Sequence, residues 1–299
     1  MRDESPGSAA KVDTARPSGW LVGSVSITPV IEIDAPVPPS FILRDATLEN
    51  MAGDLDWLQP TFVGPQGELK LIIQAFLIEV RGRKIIVDTC VGNDKQRALP
   101  AWNELRTPFL AKLRDAGFPP EQVDLVVSTH LHVDHVGWNT MKVEGQWVPT
   151  FPNARYVMAR EDFEFWRRTS DEEAARVFGD SVAPVFEHGL VELVGCDHQI
   201  TPDLSFVPTP GHTPGHCSVA IRSGAAEAVI TGDLMHHPSQ CAHPEWPCRA
   251  DVDKDLARAT RRAFLERYSD SGILVIGTHW GGPTAVHITR RGAAWRVVW

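Results

Sequence analysis

The chain has 299 residues, of which 43% are hydrophobic and 22% charged, and it carries a formal net charge of -9. These proportions are typical of a soluble globular protein, and a chain of this length can bury a full core without disulfides. The negative charge disfavours a nucleic-acid backbone or an anionic membrane surface as the main partner. The five scattered cysteines are an odd number, which argues against a disulfide framework and favours a reducing cytoplasm.

The first 18 residues are polar and rich in small side chains, which predicts a disordered or extended arm over residues 1–18. A single domain is predicted over residues 19–299, because no linker interrupts the chain beyond the arm. The N-terminal segment has no apolar signal-peptide core, and the apolar stretch at 71–80 is too short to cross a bilayer. A cytoplasmic protein with no membrane partner is therefore expected.

Strand and helix patterns alternate along the rest of the chain. The sequence predicts strands at 20–33, 69–80, 84–89, 123–129 and 154–159, short strands at 190–195, 204–209, 216–223 and 227–233, and strands at 272–280 and 285–299. It predicts helices at 102–118, 160–168, 171–187 and 251–269. Arg81, Gly82 and Arg83 predict a hairpin turn between the second and third strands. Strands outnumber helices, a mixture that suits two packed sheets with helices outside them.

The stretch "STHLHVDHVG" (128–137) places three histidines and an aspartate within six positions, directly after a short apolar strand. In extended backbone, residues i and i+2 project to the same side, so His130 and His132 can hold one ion. The chain then turns, which lets Asp134 and His135 face a neighbouring position. Imidazole and carboxylate together suit zinc or another first-row divalent cation, and this motif arises by accident in roughly one chain per thousand of this length.

Three further segments place ligand-type side chains where predicted strands end. The segment "PTPGHTPGHCS" (208–218) offers His212 and His216, which compete for one ligand position. The segment "VITGDL" presents Asp233, and "LVIGTHW" presents His279. Layered folds gather their active sites where strands end, so these side chains are predicted to converge on one site.

From about Leu69 to His279, these motifs and their order resemble the metallo-β-lactamase superfamily. The resemblance implies an α/β fold, the αββα four-layer sandwich, with the active site along one edge of the paired sheets. It implies seven metal ligands: His130, His132 and His212 for a first ion, Asp134, His135 and His279 for a second, and Asp233 as a bridge between the two. His212 is preferred to His216 because the family pattern places the ligand in the first Gly-His pair. Asp88, in "IIVDTC", would be a buried residue that orients the site, and Cys90 replaces the glycine usual there.

This ligand set implies a hydrolase with two divalent metal ions, for which Zn²⁺ is favoured and Fe, Mn or Co are alternatives. A metal-bound hydroxide would attack the substrate, while Asp134 and Asp233 would accept or relay the proton. The set resembles that of the lactonase and methyl parathion hydrolase-like branch, which predicts hydrolysis of a lactone or a hydrophobic carboxylic ester. Phosphotriester or thioester hydrolysis is the alternative. An iron-dependent oxidoreductase is disfavoured because diiron members usually carry glutamate where this chain has His132.

The substrate is predicted to be a small, apolar and uncharged molecule, with no nucleic acid as partner. Aromatic residues that follow ligand motifs or lie in irregular segments are expected to line the cleft: Trp57, Phe62, Trp138, Trp246 and Trp280. His236 lies three residues after Asp233, where lactonases of the superfamily typically carry tyrosine, so it either donates a hydrogen bond to the substrate or packs. Cys241 and Cys248 are interpreted as ordinary thiols, and a homodimer formed through the N-terminal arm is a further possibility.

Overall fold

The structure is a computed structural model that describes residues 19–299; the arm predicted at 1–18 lies outside the described residues. The strands are β1 (Trp20–Val22), β2 (Val25–Val37), β3 (Leu69–Val80), β4 (Arg83–Val87), β5 (Leu125–Val127), β6 (Thr140–Val143), β7 (Gln146–Pro149), β8 (Arg155–Ala159), β9 (Val191–Val194), β10 (Leu204–Pro208), β11 (Cys217–Ser223), β12 (Ala226–Ile230), β13 (Leu274–Ile276), β14 (Ala285–Arg291) and β15 (Ala294–Val298). The helices are α1 (Pro39–Ile42), α2 (Leu55–Leu58), α3 (Phe109–Asp115), α4 (Val133–Val136), α5 (Arg160–Arg167), α6 (Glu172–Val177), α7 (Ala183–Glu187), α8 (Ser239–Ala242) and α9 (Lys254–Tyr268).

The first sheet contains seven strands in the order β1-β2-β3-β4-β5-β8-β9. Its strands β3 and β4 are joined by the predicted hairpin, in which Arg81 and Gly82 have φ of 51° and 73°. Positive φ at both central residues gives the turn a twist that matches the flanking strands. From β4 to β9 the strands run parallel, so their carboxyl ends lie at one edge of the sheet.

The second sheet contains six strands, β10 to β15, in sequence order. The β12–β13 pair is parallel because α9 connects the two strands as a crossover. The side chain of Asp253 caps this helix by accepting hydrogen bonds from the amides of Asp255 and Leu256. At 15 residues α9 is the longest helix, and within residues 19–299 no helix has the length and apolar character needed to cross a membrane.

Three hydrophobic clusters separate the layers of the sandwich. Neighbouring residues of one strand divide between clusters: Leu77 of β3 packs with the helices outside the first sheet, whereas Ile78 packs between the two sheets. In β12, likewise, Val229 faces outward towards α9 and Ile230 faces the other sheet. Since successive side chains of a strand point to opposite faces, both sheets are buried on two sides. The layers are therefore helix, sheet, sheet and helix, and the predicted αββα sandwich of the α/β class is confirmed.

The helix predicted at 102–118 is wrong in its first half. The α-helix α3 begins only at Phe109, and a separate 3₁₀ turn covers Pro100–Trp102. Pro108 stands at the N-cap of α3, and a proline disfavours helical backbone in the residue before it, which stops the helix from extending backwards. The helix also ends earlier than predicted, at Asp115, and Gly117 follows it with φ of 81°, a conformation that glycine adopts readily after a helix.

Candidate metal centre

The predicted ligands lie where strands end at one edge of the sandwich. The segment with His130 and His135 follows β5, and α4 begins within it at Val133. Asp233 follows β12, His279 follows β13, and His212 lies in the loop between β10 and β11. Because parallel neighbours end on the same side of a sheet, this topology brings distant parts of the chain to one site.

The first group of donors consists of three imidazoles and one carboxylate oxygen. His132 Nδ1 lies 3.0 Å from His130 Nε2 and 2.8 Å from His212 Nε2. Asp233 Oδ2 lies 3.3 Å from His212 Nε2 and 3.7 Å from His130 Nε2. The ligand atoms of these four residues all lie within 4.8 Å of one another, so they can surround a single ion.

The second group consists of Asp134, His135 and His279, again with Asp233. His135 Nε2 lies 3.2 Å from His279 Nε2, and Asp134 Oδ2 lies 3.6 Å from the same His279 nitrogen. Asp233 Oδ1 lies 2.9 Å from His279 Nε2 and 3.1 Å from His135 Nε2. Each carboxylate oxygen of Asp233 therefore faces one group, which is the arrangement that a bridging ligand requires.

This donor set fits two divalent cations. At each close contact between two imidazole nitrogens, at most one of the two can donate a hydrogen to the other. Asp233 Oδ1 is buried and, within residues 19–299, no donor has the orientation needed to hydrogen-bond to it. A buried carboxylate oxygen without a partner is costly, and a cation between the imidazoles would remove that cost. Imidazole and carboxylate ligands suit zinc and similar first-row ions.

The protonation states of the ligands differ. Burial, together with the neighbouring imidazoles, lowers the pKa of His130 and His132 well below the ordinary value, so both rings are neutral. Burial opposes ionisation of Asp233, but the surrounding imidazoles hold the pKa of this carboxyl well below its usual range. Neutral imidazole and ionised carboxylate are the forms that bind metal ions. Although burial lowers them, the pKa values of His135 and His212 are raised well above the ordinary value by neighbouring carboxylates, so a cation must displace a proton from each of these two rings.

Asp88 lies behind the second group and is fully buried. Its Oδ2 is 2.9 Å from His135 Nδ1, and its two oxygens accept hydrogen bonds from the amide and hydroxyl of Thr129. This contact holds the imidazole of His135 with Nε2 directed at the centre. Asp88 and Cys90 have φ of 58° and 51°, so Cys90 adopts the left-handed conformation that glycine accommodates at lower cost.

His216 does not join either group, because both of its ring nitrogens are engaged elsewhere. Its Nε2 accepts a hydrogen bond of 2.9 Å from the amide of Asp233, and its Nδ1 lies 3.0 Å from the carbonyl oxygen of Thr209. Burial lowers the pKa of His216 to about 3, which keeps Nε2 free to accept. A Cβ at Gly232 would lie 2.6 Å from this nitrogen, so the turn needs glycine there. Between the two histidines of the segment, the geometry places His212 among the donors.

Two buried aspartates that sequence reasoning missed support the histidine segments. Asp162 in α5 accepts hydrogen bonds from the amides of Leu131 and Gly215, and so joins the first histidine segment to the second. Asp251 Oδ1 lies 2.9 Å from His212 Nδ1 and orients this ring as Asp88 orients His135. Nothing in the local sequence distinguishes Asp162 from an ordinary acidic residue in the first turn of a helix.

The predicted aromatic lining of the cleft is wrong, because all five of its residues lie in hydrophobic cores: Trp57, Phe62, Trp138, Trp246 and Trp280. Trp138 stacks on Phe109 and donates from Nε1 to Glu32, whereas Trp280 is fully buried and donates to the carbonyl of Met235. Closeness to a ligand motif in the sequence therefore does not place an indole in the cleft, because the side chain packs against whichever element covers that face of the segment.

Apolar side chains that the sequence did not single out border the ligands instead. The ring of Trp166 lies edge-on to His132, with 5.1 Å between ring centroids, and Phe165 packs edge-on to Trp166. Val252 donates its amide hydrogen to the carbonyl of His212 and has an exposed side chain. The aromatic signal was therefore present in the sequence at Phe165 and Trp166, but within a helix rather than beside a ligand motif.

His236 and Cys248 lie against the first group. His236 is buried, and its Nε2 lies 3.0 Å from Asp233 Oδ2 and 3.5 Å from Cys248 Sγ. Although burial raises it, the pKa of the Cys248 thiol is lowered to about 7 by the imidazoles of His236 and His212. Cys241, by contrast, lies in the core with its sulfur 3.9 Å from that of Met235. The interpretation as an ordinary thiol therefore fits Cys241, which lies in the core, but not Cys248, which lies beside two imidazoles.

The sandwich and its paired donor groups define the class to which the chain belongs. The family model described as the metallo-beta-lactamase superfamily matches residues 70–267, and the chain is a member of this superfamily. An N-acyl homoserine lactonase of Bacillus sp is 25% identical over 211 residues, which cover 66% of this chain and 77% of that protein. The N-acyl homoserine lactonase of Bacillus cereus is 25% identical over 215 residues, which cover 68% and 78%.

Solved structures of the same fold cover nearly the whole chain. Hydrolase AbOPH of the beta lactamase superfamily superimposes with a TM-score of 0.76 at 23% identity, covering 95% of this chain and 98% of that one. AidC, a dizinc quorum-quenching lactonase in complex with a homoserine product, gives a TM-score of 0.75 at 19% identity and covers 94% and 96%. At these identities the likeness establishes the fold. Together with the family match, it identifies this chain as a metal-dependent hydrolase.

Proposed function

We propose that this chain hydrolyses lactones that carry an apolar acyl chain, using two divalent metal ions for which zinc is the favoured identity. The observation that carries the proposal is the position of Asp233, whose two oxygens face two separate donor groups at distances of 2.9 to 3.7 Å. The similarity to N-acyl homoserine lactonases supports a lactone of that kind as the substrate.

The roles of the side chains follow from this placement. Two bound divalent ions supply Lewis-acid activation of water and of the substrate carbonyl. His130, His132 and His212 would hold one ion, and Asp134, His135 and His279 would hold the other. Asp134 retains 13% exposure of its side chain, so its carboxylate can accept the proton that water releases as it attacks the lactone. Asp233 is almost fully buried, and it keeps the two donor groups at a fixed separation.

An apolar border at the first group supports an acyl chain on the substrate. Trp166 lies against His132, and Phe165 extends the aromatic surface and is 37% exposed. Val252 and Leu256 are also exposed. They lie near the segment of His212, because Gly211 packs against the backbone of α9 beside Leu256. An acyl chain that covers these side chains would gain about 25 cal/mol for each Å² of apolar surface removed from water.

The proposal is tested by a hydrolysis screen with purified, zinc-loaded protein. The substrates are N-acyl homoserine lactones of short and long acyl chain, aryl esters, thioesters and phosphotriesters. We expect the highest kcat/KM for a lactone with a long acyl chain. A thioester or phosphotriester hydrolysed far faster than every lactone would contradict the proposed substrate, but not the metal centre.

Trp166→Ala is expected to reduce the preference for a long acyl chain. Loss of about 50 Å² of apolar contact costs about 1.3 kcal/mol, which is about a tenfold loss of kcat/KM for the long-chain lactone. The short-chain lactone should lose much less, because it does not reach the indole. The measurement is the ratio of kcat/KM between the two lactones.

Trp20→Ala, in β1, is the matched control, because it removes a half-buried indole that packs beside the core between the sheets. This control should leave the ratio unchanged. If Trp166→Ala lowered kcat/KM equally for both lactones, Trp166 would act on the ligands alone and would not contact the acyl chain.

A further inference from the structure

His236 and Cys248 add a nitrogen and a sulfur donor beside the first group of ligands. Both side chains are buried, with 1% and 0% exposure. Together with His212 they form a compact set whose ligand atoms all lie within 4.8 Å of one another. Neither residue belongs to the seven ligands that hold the two ions in the proposed function.

The spacing of these donors fits a tetrahedral metal ion. With metal–nitrogen distances of about 2.05 Å and a metal–sulfur distance of about 2.3 Å, tetrahedral ligands lie about 3.5 Å apart. His236 Nε2 and Cys248 Sγ are 3.5 Å apart. Asp233 Oδ2 lies 3.0 Å from the same nitrogen, on the side of the main centre.

The backbone around Cys248 holds the sulfur in place. The amide of Ala250 donates to Sγ over 3.3 Å, a contact that favours the thiolate. The amide of Cys248 donates to Asp251 Oδ2, and Asp251 also orients His212 through its other oxygen. One short turn therefore fixes both the sulfur and the shared imidazole, and Cys248 forms no disulfide that would occupy its sulfur.

We propose that Cys248 and His236, with His212, form a site for a divalent cation that accepts a sulfur ligand, such as Co²⁺, Cd²⁺ or Zn²⁺. Binding requires the Cys248 thiolate and the neutral imidazoles of His236 and His212, so the protons that these three groups carry at their ligating atoms are released to solvent. Because His212 Nε2 also lies 2.8 Å from His132 Nδ1, an ion bound by Cys248 competes for His212 with the ion of the first group. The site thus gives such a cation a second way to bind at one edge of the centre.

The test is a cobalt titration of the metal-free full chain, followed by absorption spectroscopy. Sulfur ligation produces a sulfur-to-cobalt charge-transfer band in the near ultraviolet, whereas nitrogen and oxygen ligands produce only the weaker visible bands. We expect the charge-transfer band in the wild type, its loss in Cys248→Ser and its weakening in His236→Gln. Cys241→Ser, which alters another buried thiol seven residues away, is the matched control and should keep the band.

The two kinds of band separate this inference from the proposed function. Visible cobalt bands without a charge-transfer band in the wild type would overturn the thiolate site and leave the main centre standing. Persistence of the charge-transfer band in Cys248→Ser would also overturn it. Circular dichroism verifies that each variant folds. If Cys248→Ser does not fold, Cys248→Ala takes its place in the comparison with the wild type. Absence of all cobalt bands in the wild type would overturn both proposals.

Discussion

Asp233→Ala is expected to lower kcat/KM for the best lactone substrate by at least about a thousandfold. The substitution removes the carboxylate that faces both donor groups, so the two ions lose their common ligand. Their Lewis-acid contribution amounts to several kcal/mol, and a loss of about 4 kcal/mol corresponds to about a thousandfold in rate. The measurement is steady-state kinetics together with metal content per chain, which should fall below that of the wild type.

The fold of Asp233→Ala should remain intact, because the substitution touches no contact between the sheets. Far-ultraviolet circular dichroism checks this expectation. Asp197→Ala, at an exposed aspartate outside both donor groups, is the matched control and should retain wild-type rate and metal content. Wild-type turnover in Asp233→Ala would contradict a centre organised around a shared carboxylate.

Arg261→Met is expected to lower the free energy of unfolding by about 3–5 kcal/mol, as breaking a buried ion pair does. The guanidinium of Arg261 is fully buried in α9 and donates hydrogen bonds to the carbonyl oxygens of Leu234, Pro244 and Trp246. Its Nη2 also lies 3.6 Å from Asp251 Oδ2, so methionine leaves a buried carboxylate without this cation. Urea unfolding of the metal-free protein measures the change without a contribution from metal binding.

Arg262→Met is the matched control for this prediction, since it removes the next arginine of the same helix. Arg262 is exposed and lies over the ring of Trp295, so its replacement should cost about 0.5 kcal/mol or less. Equal effects of the two substitutions would show that the buried hydrogen bonds from Arg261 to residues 234–246 do not stabilise the fold. A destabilised Arg261→Met should also bind metal more weakly, because Asp251 orients His212.

The regular elements could be predicted in large part because their signals are local. Strand β3 has the bounds that its apolar run indicated, and the hairpin at Arg81 and Gly82 follows from turn chemistry alone. The helix predicted from 102 failed because hydrophobic spacing extends across Pro108, whereas the backbone of a helix does not. The mixture of strands and helices indicated two packed sheets with helices outside them, and the αββα sandwich was implied by the family resemblance.

The candidate ligands could be named from the sequence because each lies in a short motif at a strand end. Their neighbours could not. Trp138 and Trp280 follow ligand motifs, yet their indoles pack into the core, while Trp166 lies against His132 from the middle of α5. Which face of a segment is buried depends on the element that packs against it, and that element is distant in the sequence.

The sequence by itself determined the chemistry available to this protein: a set of imidazoles and carboxylates at spacings that suit divalent metal ions. Only the tertiary structure decided how that set is arranged, with Asp233 between two groups and Asp162, Asp251 and Cys248 beside them. The physical reason is that ligand type and local backbone direction are encoded within a few residues. Convergence, burial and the choice between His212 and His216 depend instead on contacts between residues far apart in the chain.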